Sequence, residues 1–376
     1  MTEARSAYLD LVRFLAALAV VVSHFAYPRF TGGGLGWARE FNIGSDAVVV
    51  FFVLSGFIIT FAARRRRANL GEFAFARLSR LWSVAVPALL LTLVCDALGQ
   101  RIAPEFYSGV SYYAAVPQWE FWLRGLTFSN YWAGSQLRLG TNGPYWSLGY
   151  EAAYYALFAV AVYLRGTRRA MWLAVLCFLF GLPVLLLMPA WLMGAAAFGW
   201  VSREGRAEMP KPVAWALCTM PVLLYVAMQG VGVPERLMEA TVAVVGRSGV
   251  AALGFSNEFI WNALIGALFA AHIVGAWSLL ETRTAFRWGH AVKWLAGGSF
   301  SLYLVHNPML HLGHVALPRT GSEVLDSVLL LGAVVAACYV FAEAFERTLG
   351  QQRRIARAVW ARMRGPARVG APLSAP

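Results

Sequence analysis

Three ionisable side chains share the first apolar stretch of the sequence. Residues 8 to 25 read YLDLVRFLAALAVVVSHF, so Asp10, Arg13 and His24 interrupt a run that could cross a bilayer. Each such group costs at least ~2.5 kcal/mol in hydrocarbon. Arg13 and His24 share one helix face, about 16 Å apart along the axis. Because imidazole titrates near neutrality and can act as a general base, we expect this face to line a polar cavity.

Structural explanations exist for two of these three residues. Asp10 stands three residues before Arg13, so it can pair with it, or it can cap the helix. Arg13 can extend its guanidinium to the headgroups. A lone imidazole in lipid gains little, so His24 is the residue that most requires a polar environment.

The second and third apolar stretches carry a small-residue pair and an arginine pair. In GSDAVVVFFVLSGFII (44–59), Ser55 and Gly56 permit close helix contact. In ARLSRLWSVAVPAL (76–89), Arg77 and Arg80 lie one turn apart, where their guanidiniums suit phosphate. Both pairs have a purely structural explanation. The first pair can serve helix packing alone, and the second can anchor the chain at the membrane surface.

Two later stretches each place one ionisable residue inside an apolar run. NGPYWSLGYEAAYY (142–155) contains Glu151, and GSFSLYLVHNPML (298–310) contains His306, close to the helix-breaking Pro308. Glu151 could instead belong to a structural ion pair, and His306 could be a satisfied interhelical histidine. The sequence alone leaves both alternatives open.

Composition identifies an integral membrane protein. Of 376 residues, 59% are hydrophobic and 14% are charged, against about 25% charged in soluble domains. The spacing of His306, His311 and His314 does not give the i, i+4 pair of a helical zinc site, so we expect no metal. The cysteines fall in apolar runs and look like core thiols: Cys95, Cys177, Cys218 and Cys338.

The sequence predicts an all-α polytopic membrane protein with about ten transmembrane helices. At ~20 apolar residues per crossing, the helices are placed near 9–28, 46–63, 82–99, 145–164, 170–188, 189–202, 212–230, 258–280, 294–317 and 322–345. The aromatic segment 118–134 reads as interfacial or re-entrant. The transmembrane domain is predicted to span 1–345, and 346–376 to form a basic cytoplasmic tail.

The arginines predict the orientation. With both termini in the cytoplasm, the inside segments hold 23 of the 32 Lys and Arg residues, as the positive-inside rule requires. The net charge of +13 is therefore attributed to topology and not to nucleic-acid binding. The tail QQRRIARAVWARMRGPAR can form a basic amphipathic helix on anionic lipid, or it can be solvated. We expect a multi-pass protein of the plasma or inner membrane.

Taken in order, five motifs resemble the acyltransferase 3 family of integral membrane acyltransferases. The resemblance covers nearly all of the chain up to about residue 345. The motifs are Leu9-Asp10-x-x-Arg13 with Arg-x10-His, FFVLSGF at 51–57, Arg77-x-x-Arg80, Trp146-Ser147-Leu148-x-x-Glu151, and Ser301-Leu302-Tyr303-Leu304-x-His306-x-Pro308.

The resemblance implies transfer of an acyl group, usually acetyl, from cytoplasmic acyl-coenzyme A to a hydroxyl of a saccharide, a lipid-linked saccharide or another acceptor. Two departures matter. The acidic residue that many relatives carry close before the Phe-Phe pair is here Asp46, five residues before Phe51, and we assign it no role. We also expect no second transfer step on a fused esterase-like domain.

Roles follow for the motif residues. His24 is the candidate base, and Glu151 would either orient His24 or bind the acceptor hydroxyl. Arg13, Arg77 and Arg80 would bind the phosphates of the acyl-coenzyme A donor. Residues of second rank for substrate contact or positioning are Asp10, Trp146, Ser147, Tyr303 and His306. The sequence does not indicate the oligomeric state.

A function of another class remains as the alternative. A membrane transporter or flippase could use intramembrane His, Glu and Arg residues to relay protons or to bind an anionic substrate. Matched broken helices in two halves of the chain would favour it, and the sequence shows no such repeat.

Overall fold

The computed structural model of the chain describes residues 1–65, 69–110, 113, 116–205, 207–283 and 288–363. These residues form an all-helical structure without a β-strand. Its α-helices are α1 Glu3–Phe25, α2 Pro28–Thr31, α3 Trp37–Glu40, α4 Ile43–Arg65, α5 Leu70–Ile102, α6 Pro104–Ser108, α7 Gln118–Thr127, α8 Trp146–Tyr163, α9 Gly166–Phe180, α10 Leu182–Val201, α11 Lys211–Gly230, α12 Val233–Leu253, α13 Phe259–Leu279, α14 Gly289–Ala296, α15 Ser299–Ala316, α16 Glu323–Phe341 and α17 Leu349–Met363.

Seven helical stretches among the described residues are long and apolar enough to cross a membrane. They are Glu3–Phe25, Ile43–Arg64, Leu70–Ile102, Leu182–Val201, Lys211–Gly230, Val233–Leu279 and Glu323–Val359. The last two each run through more than one helix. The chain is therefore a multi-pass membrane protein, while the number of ten crossings stays a prediction.

One predicted helix boundary lies elsewhere in the structure. The sequence placed a break between residues 188 and 189, before Pro189, but the break occurs at Gly181. Gly181 has φ of 81°, a left-handed value that favours glycine, and it joins α9 to α10. Pro189 lies inside α10, where the packing of neighbouring membrane helices tolerates the lost backbone bond.

The structure adds detail in one predicted segment, 118–134, and one helix that was not predicted, α12. The aromatic segment 118–134 contains α7, whose ten residues reach only about 15 Å and cannot cross a bilayer. Helix α12 was not expected, and non-helical backbone at Gly246 divides it in two. Near its end, the backbone oxygen of Ala251 accepts a hydrogen bond of 2.9 Å from Gln136.

Polar contacts bring several helix ends together at one end of the bundle. Arg5, at the start of α1, donates to the carbonyl of Trp277 near the end of α13, at 2.9 Å. Arg64, at the end of α4, donates to Ser202 just after α10, at 2.6 Å. Ser6 and Phe61 line one small cavity, so the start of α1 also lies against the end of α4. The arginines of these ends therefore lie on one side of the structure.

The close helix contact expected at Ser55-Gly56 is confirmed. A side chain at Gly56 would overlap the backbone oxygen of Trp191, and one at Gly194 would overlap the backbone oxygen of Val53. Helices α4 and α10 thus meet backbone to backbone, which positions Ser55 next to α8. There Ser55 donates a hydrogen bond of 3.0 Å to Glu151.

Candidate active site

His24 and His306 form a hydrogen-bonded pair. Nδ1 of His24, at the end of α1, lies 2.7 Å from Nε2 of His306 in α15. The two rings stack with centroids 5.0 Å apart. Nδ1 of His306 donates in turn to the carbonyl oxygen of Leu302, 2.9 Å away. The two histidines that the sequence singled out in separate motifs therefore belong to one chain of hydrogen bonds.

This chain of bonds fixes which nitrogens carry protons. A carbonyl oxygen only accepts, so Nδ1 of His306 must carry a hydrogen and Nε2 of neutral His306 must accept. Nδ1 of His24 is then the donor, and the lone pair of neutral His24 is on Nε2. His306 and the Leu302 carbonyl thus hold His24 in the tautomer whose Nε2 can accept a proton, an arrangement like that of the third member of a catalytic triad.

His24 lines a polar cavity of about 380 Å³, the histidine cavity. Its wall is formed mainly by side chains that follow α1, precede α8 or precede α13. They include Tyr27, Arg39, Asn42, Val48, Tyr131, Arg138, Trp146, Phe255, Glu258 and Tyr303. The expectation that the polar face of α1 meets a cavity is confirmed at this position.

A second cavity, also about 380 Å³, contains the predicted phosphate-binding residues. We call it the arginine cavity. Its charged and hydroxyl-bearing lining residues are Arg13, Ser55, Arg77, Arg80, Ser147, Glu151, Tyr155, Ser299, Tyr303 and Arg353. The structure therefore brings Arg13, Arg77 and Arg80 together from two helices, α1 and α5.

The three arginines differ in their partners. Arg13 pairs with Asp10 at 3.3 Å, the pairing that the sequence allowed. Arg80 pairs at 3.2 Å with Glu346, whose side chain is only 2% exposed and belongs to a π-helical turn after α16. In Arg77 the Nε atom is buried and has no hydrogen-bond partner. Arg77 is thus a cation with an unsatisfied donor beside the cavity.

Residues 6–343 match the model of the acyltransferase 3 family, described as an acyltransferase domain. The chain belongs to this family. Among known proteins, Acyltransferase MdmB of Streptomyces mycarofaciens is 26% identical over an alignment of 340 residues, and the match covers 81% of this chain and 78% of that protein. No solved structure matches the chain. The family membership favours an acyltransferase over the transporter alternative.

Glu151 lies in the arginine cavity of this acyltransferase. Its carboxylate accepts hydrogen bonds from Ser55, at 3.0 Å, and from the hydroxyl of Tyr155. The position next to Nδ1 of His24 is occupied by His306. Of the two roles left open for Glu151, orienting His24 therefore falls to His306 in this structure.

Tyr303 stands between the two cavities and lines both of them, as does Val48. The Tyr303 hydroxyl lies 2.6 Å from that of Ser147, and it also donates to the carbonyl of Pro144 at 3.1 Å. Tyr303 is three residues before His306 and shares its helix face. Trp146 lines the histidine cavity, where it stacks on Phe255 at 4.3 Å.

Several residues of the site were missed from the sequence. Glu346 and Arg353 lie in the predicted basic tail, yet Glu346 is buried and Arg353 lines the arginine cavity. Two acidic residues ahead of the arginine-rich tail, Glu343 and Glu346, were the signal available for an ion pair there. Arg39 and Arg138 line the histidine cavity but belong to none of the five motifs.

Asp46 has structural partners away from both cavities. Its carboxylate accepts hydrogen bonds from Tyr225 at 2.7 Å, Gln229 at 2.9 Å and Trp261 at 3.0 Å. A buried carboxylate with three donors is satisfied, so Asp46 ties α4 to α11 and α13.

Across the described parts of the chain, no group of three or more His, Cys, Asp or Glu residues could hold a metal ion.

Proposed function

We propose that this acyltransferase moves an acyl group, usually acetyl, from acyl-coenzyme A to a hydroxyl of a saccharide or another acceptor. One observation carries the proposal. His24 is hydrogen-bonded to His306, and His306 to the Leu302 carbonyl, so the Nε2 lone pair of His24 is available to take a hydroxyl proton. A hydroxyl attacking a thioester needs such a base.

The arginine cavity supports an anionic donor. Its lining holds four arginines and one carboxylate, Glu151. Asp10 and Glu346 pair with two of these arginines, and the cluster keeps an excess of positive charge. Acyl-coenzyme A carries a pyrophosphate and a 3′-phosphate, and guanidinium groups bind phosphate oxygens in bidentate fashion. Arg13, Arg77 and Arg80 are proposed to hold these phosphates.

The relative position of the two cavities suggests how donor and acceptor meet. Arg13 and His24 lie on the same helix, about 16 Å apart along its axis. The extended pantetheine arm would run from the arginine cavity towards Tyr303, which borders both cavities. The thioester would then meet the acceptor hydroxyl beside His24.

The reaction balances with the residues at hand. Nε2 of His24 removes the proton as the acceptor oxygen attacks the thioester carbonyl, and a tetrahedral intermediate forms. Its collapse breaks the C–S bond, and the protonated His24 returns the proton to the departing sulfur. The products are the acyl ester and coenzyme A, and His24 is again neutral.

The histidine cavity suits a polar acceptor. Arg39, Asn42, Arg138 and Glu258 line it together with the aromatic ring of Tyr27. A pocket with several convergent polar groups and aromatic walls fits a ligand with many hydroxyls. With both termini in the cytoplasm, as the positive-inside rule predicts, the donor would enter from the cytoplasm and the acceptor would bind at the opposite membrane surface.

The direct test supplies the purified protein with labelled acetyl-coenzyme A. Release of free coenzyme A, accelerated by a saccharide acceptor, is the expected result. Wild-type protein that binds coenzyme A but never cleaves the thioester with any acceptor would contradict the proposal. A second arm compares the O-acyl content of surface glycans in cells with and without the gene, which identifies the acceptor class.

A further inference from the structure

Helix α17, beyond the residues that match the family model, packs against the start of α5. Arg353 donates from Nε to the hydroxyl of Ser79 at 2.8 Å and from Nη2 to the carbonyl of Ala76 at 2.7 Å. One turn further on, the guanidinium of Arg357 lies 5.3 Å from the ring of Phe75. The match to the family ends at residue 343, so this contact belongs to a part of the chain outside it.

Arg353 reaches the same turn of α5 that carries the paired arginines. Its two partners, Ala76 and Ser79, flank Arg77 and precede Arg80 in sequence. Arg353 and Leu349 also line the arginine cavity. Helix α17 therefore forms a wall of that cavity and adds a fourth guanidinium to it.

The charges around the cavity do not balance within the protein. Three carboxylates, Asp10, Glu151 and Glu346, face four arginines in this cluster. Like charges gathered at a partly buried site repel, and an anionic ligand relieves that repulsion. The excess positive charge therefore indicates a site built to receive an anion.

We propose that Arg353 is a fourth phosphate-binding residue for the acyl-coenzyme A donor and that α17 closes the donor cavity. The inference rests on the proposed function and extends it to an element outside the family match. Arg353 is half-buried against α5, whereas Ile355 and Val359 are exposed on other faces of the helix. Arg353 thus lies on the side of α17 that faces the cavity, and not on the side that could lie on lipid.

The test measures the affinity of coenzyme A for full-length protein purified in a neutral detergent, which excludes anionic lipid headgroups. We expect Arg353→Ala and Arg353→Gln to weaken binding about 10- to 150-fold, the range for losing one charge-assisted hydrogen bond. Arg353→Lys should fall between these variants and wild type, because it keeps the charge but loses the planar fork. Arg354→Ala, at an exposed position of the same helix, is the matched control and should bind as wild type does.

A second set of variants separates binding from a structural tether. Ser79→Ala removes one bond that holds Arg353 but keeps the cation, so it should cost much less affinity than Arg353→Ala. Equal losses in Ser79→Ala and Arg353→Gln, with the same fall in thermal stability, would overturn the proposal. So would unchanged affinity in folded Arg353→Gln.

The two proposals fail differently. If wild-type protein does not bind coenzyme A at all, the proposed function itself is wrong. If wild type binds and the Arg353 variants bind equally well, only the role of Arg353 is wrong. Weaker binding of dephospho-coenzyme A to wild type, with a smaller difference in Arg353→Gln, would assign Arg353 to the 3′-phosphate.

Discussion

His24 and His306 are 282 positions apart in the sequence, yet their ring nitrogens lie 2.7 Å apart. Helices α1 and α15 carry these two residues side by side, and His306 is fully buried. Because His306 donates from Nδ1 to the Leu302 carbonyl, its Nε2 accepts the hydrogen bond from His24. A base held in one tautomer by a buried partner does not need to reorganise before each proton transfer.

Replacing His24 by alanine removes the proposed base. We expect His24→Ala to lower turnover by about 10²- to 10⁴-fold, the usual contribution of a positioned general base. Coenzyme A affinity should change little, because His24 lines the histidine cavity and not the arginine cavity. The measurement is single-turnover thioester cleavage together with a binding titration. Near-normal turnover in a folded His24→Ala protein would rule out the assignment.

His306 is proposed as a positioning residue, and its variants should differ in how much kcat they lose. His306→Ala leaves Nδ1 of His24 without its acceptor, so we expect kcat to fall about 10- to 100-fold, equivalent to one buried hydrogen bond. His306→Gln offers an amide oxygen at a similar reach and should recover part of that loss. KM for the donor should stay unchanged in both variants. An equal loss in both would indicate a role in packing only.

Much of the fold could be predicted from the sequence because apolar length is a strong signal. The helical stretches at α1, α4, α11 and α13 fall where runs of about 20 apolar residues predicted them. The predicted boundary between α9 and α10 was wrong because proline disfavours a helix interior more strongly than glycine does, which favoured Pro189 over Gly181. In the structure α9 ends at Gly181, whose φ is positive, and Pro189 lies within α10.

The residues of the site were less predictable than its motifs. Spacing along α1 indicated that Arg13 and His24 share a face, but not that the two line separate cavities. The partner of His24 could not be found from spacing, because it depends on how α1 packs on α15. The same holds for Arg80 and Glu346, which are 266 positions apart. Local patterns predict elements, whereas these contacts depend on tertiary packing.

The predicted orientation can be tested with fused reporters. A reporter placed after Ala62, at the end of α4, should lie in the cytoplasm, and one placed after Ser108 should lie on the opposite side. The reason is the excess of arginines at the helix ends that meet near Arg5 and Arg64. The reverse pattern would turn the arginine cavity away from cytoplasmic coenzyme A and would contradict the donor assignment.

The close approach of α4 and α10 predicts a sensitive position. Gly56→Ala would place a methyl group against the backbone oxygen of Trp191, so the two helices must separate. Overpacking of this kind costs about 1–3 kcal/mol. Because Ser55 holds Glu151, activity should fall along with thermal stability in detergent. Gly199→Ala, where a side chain meets open space, is the control and should match wild type.

Arg77 and Arg80 should respond differently to substitution because only Arg80 has a buried carboxylate partner. Arg77→Ala should weaken coenzyme A binding about 10- to 150-fold with little change in thermal stability, since no carboxylate in the described structure pairs with it. Arg80→Ala should lose affinity and stability together, because Glu346 is left buried and unpaired.

A double variant separates those two effects of Arg80. Glu346→Gln removes the orphaned charge, so Arg80→Ala with Glu346→Gln should regain thermal stability while its coenzyme A affinity stays low. The glutamine can still accept the backbone hydrogen bond from Ser301, which keeps the start of α15 in place. Binding should also weaken as salt rises, as expected for an anion site partly open to solvent. Unchanged affinity in both Arg77→Ala and Arg80→Ala would return these arginines to the role of topology anchors.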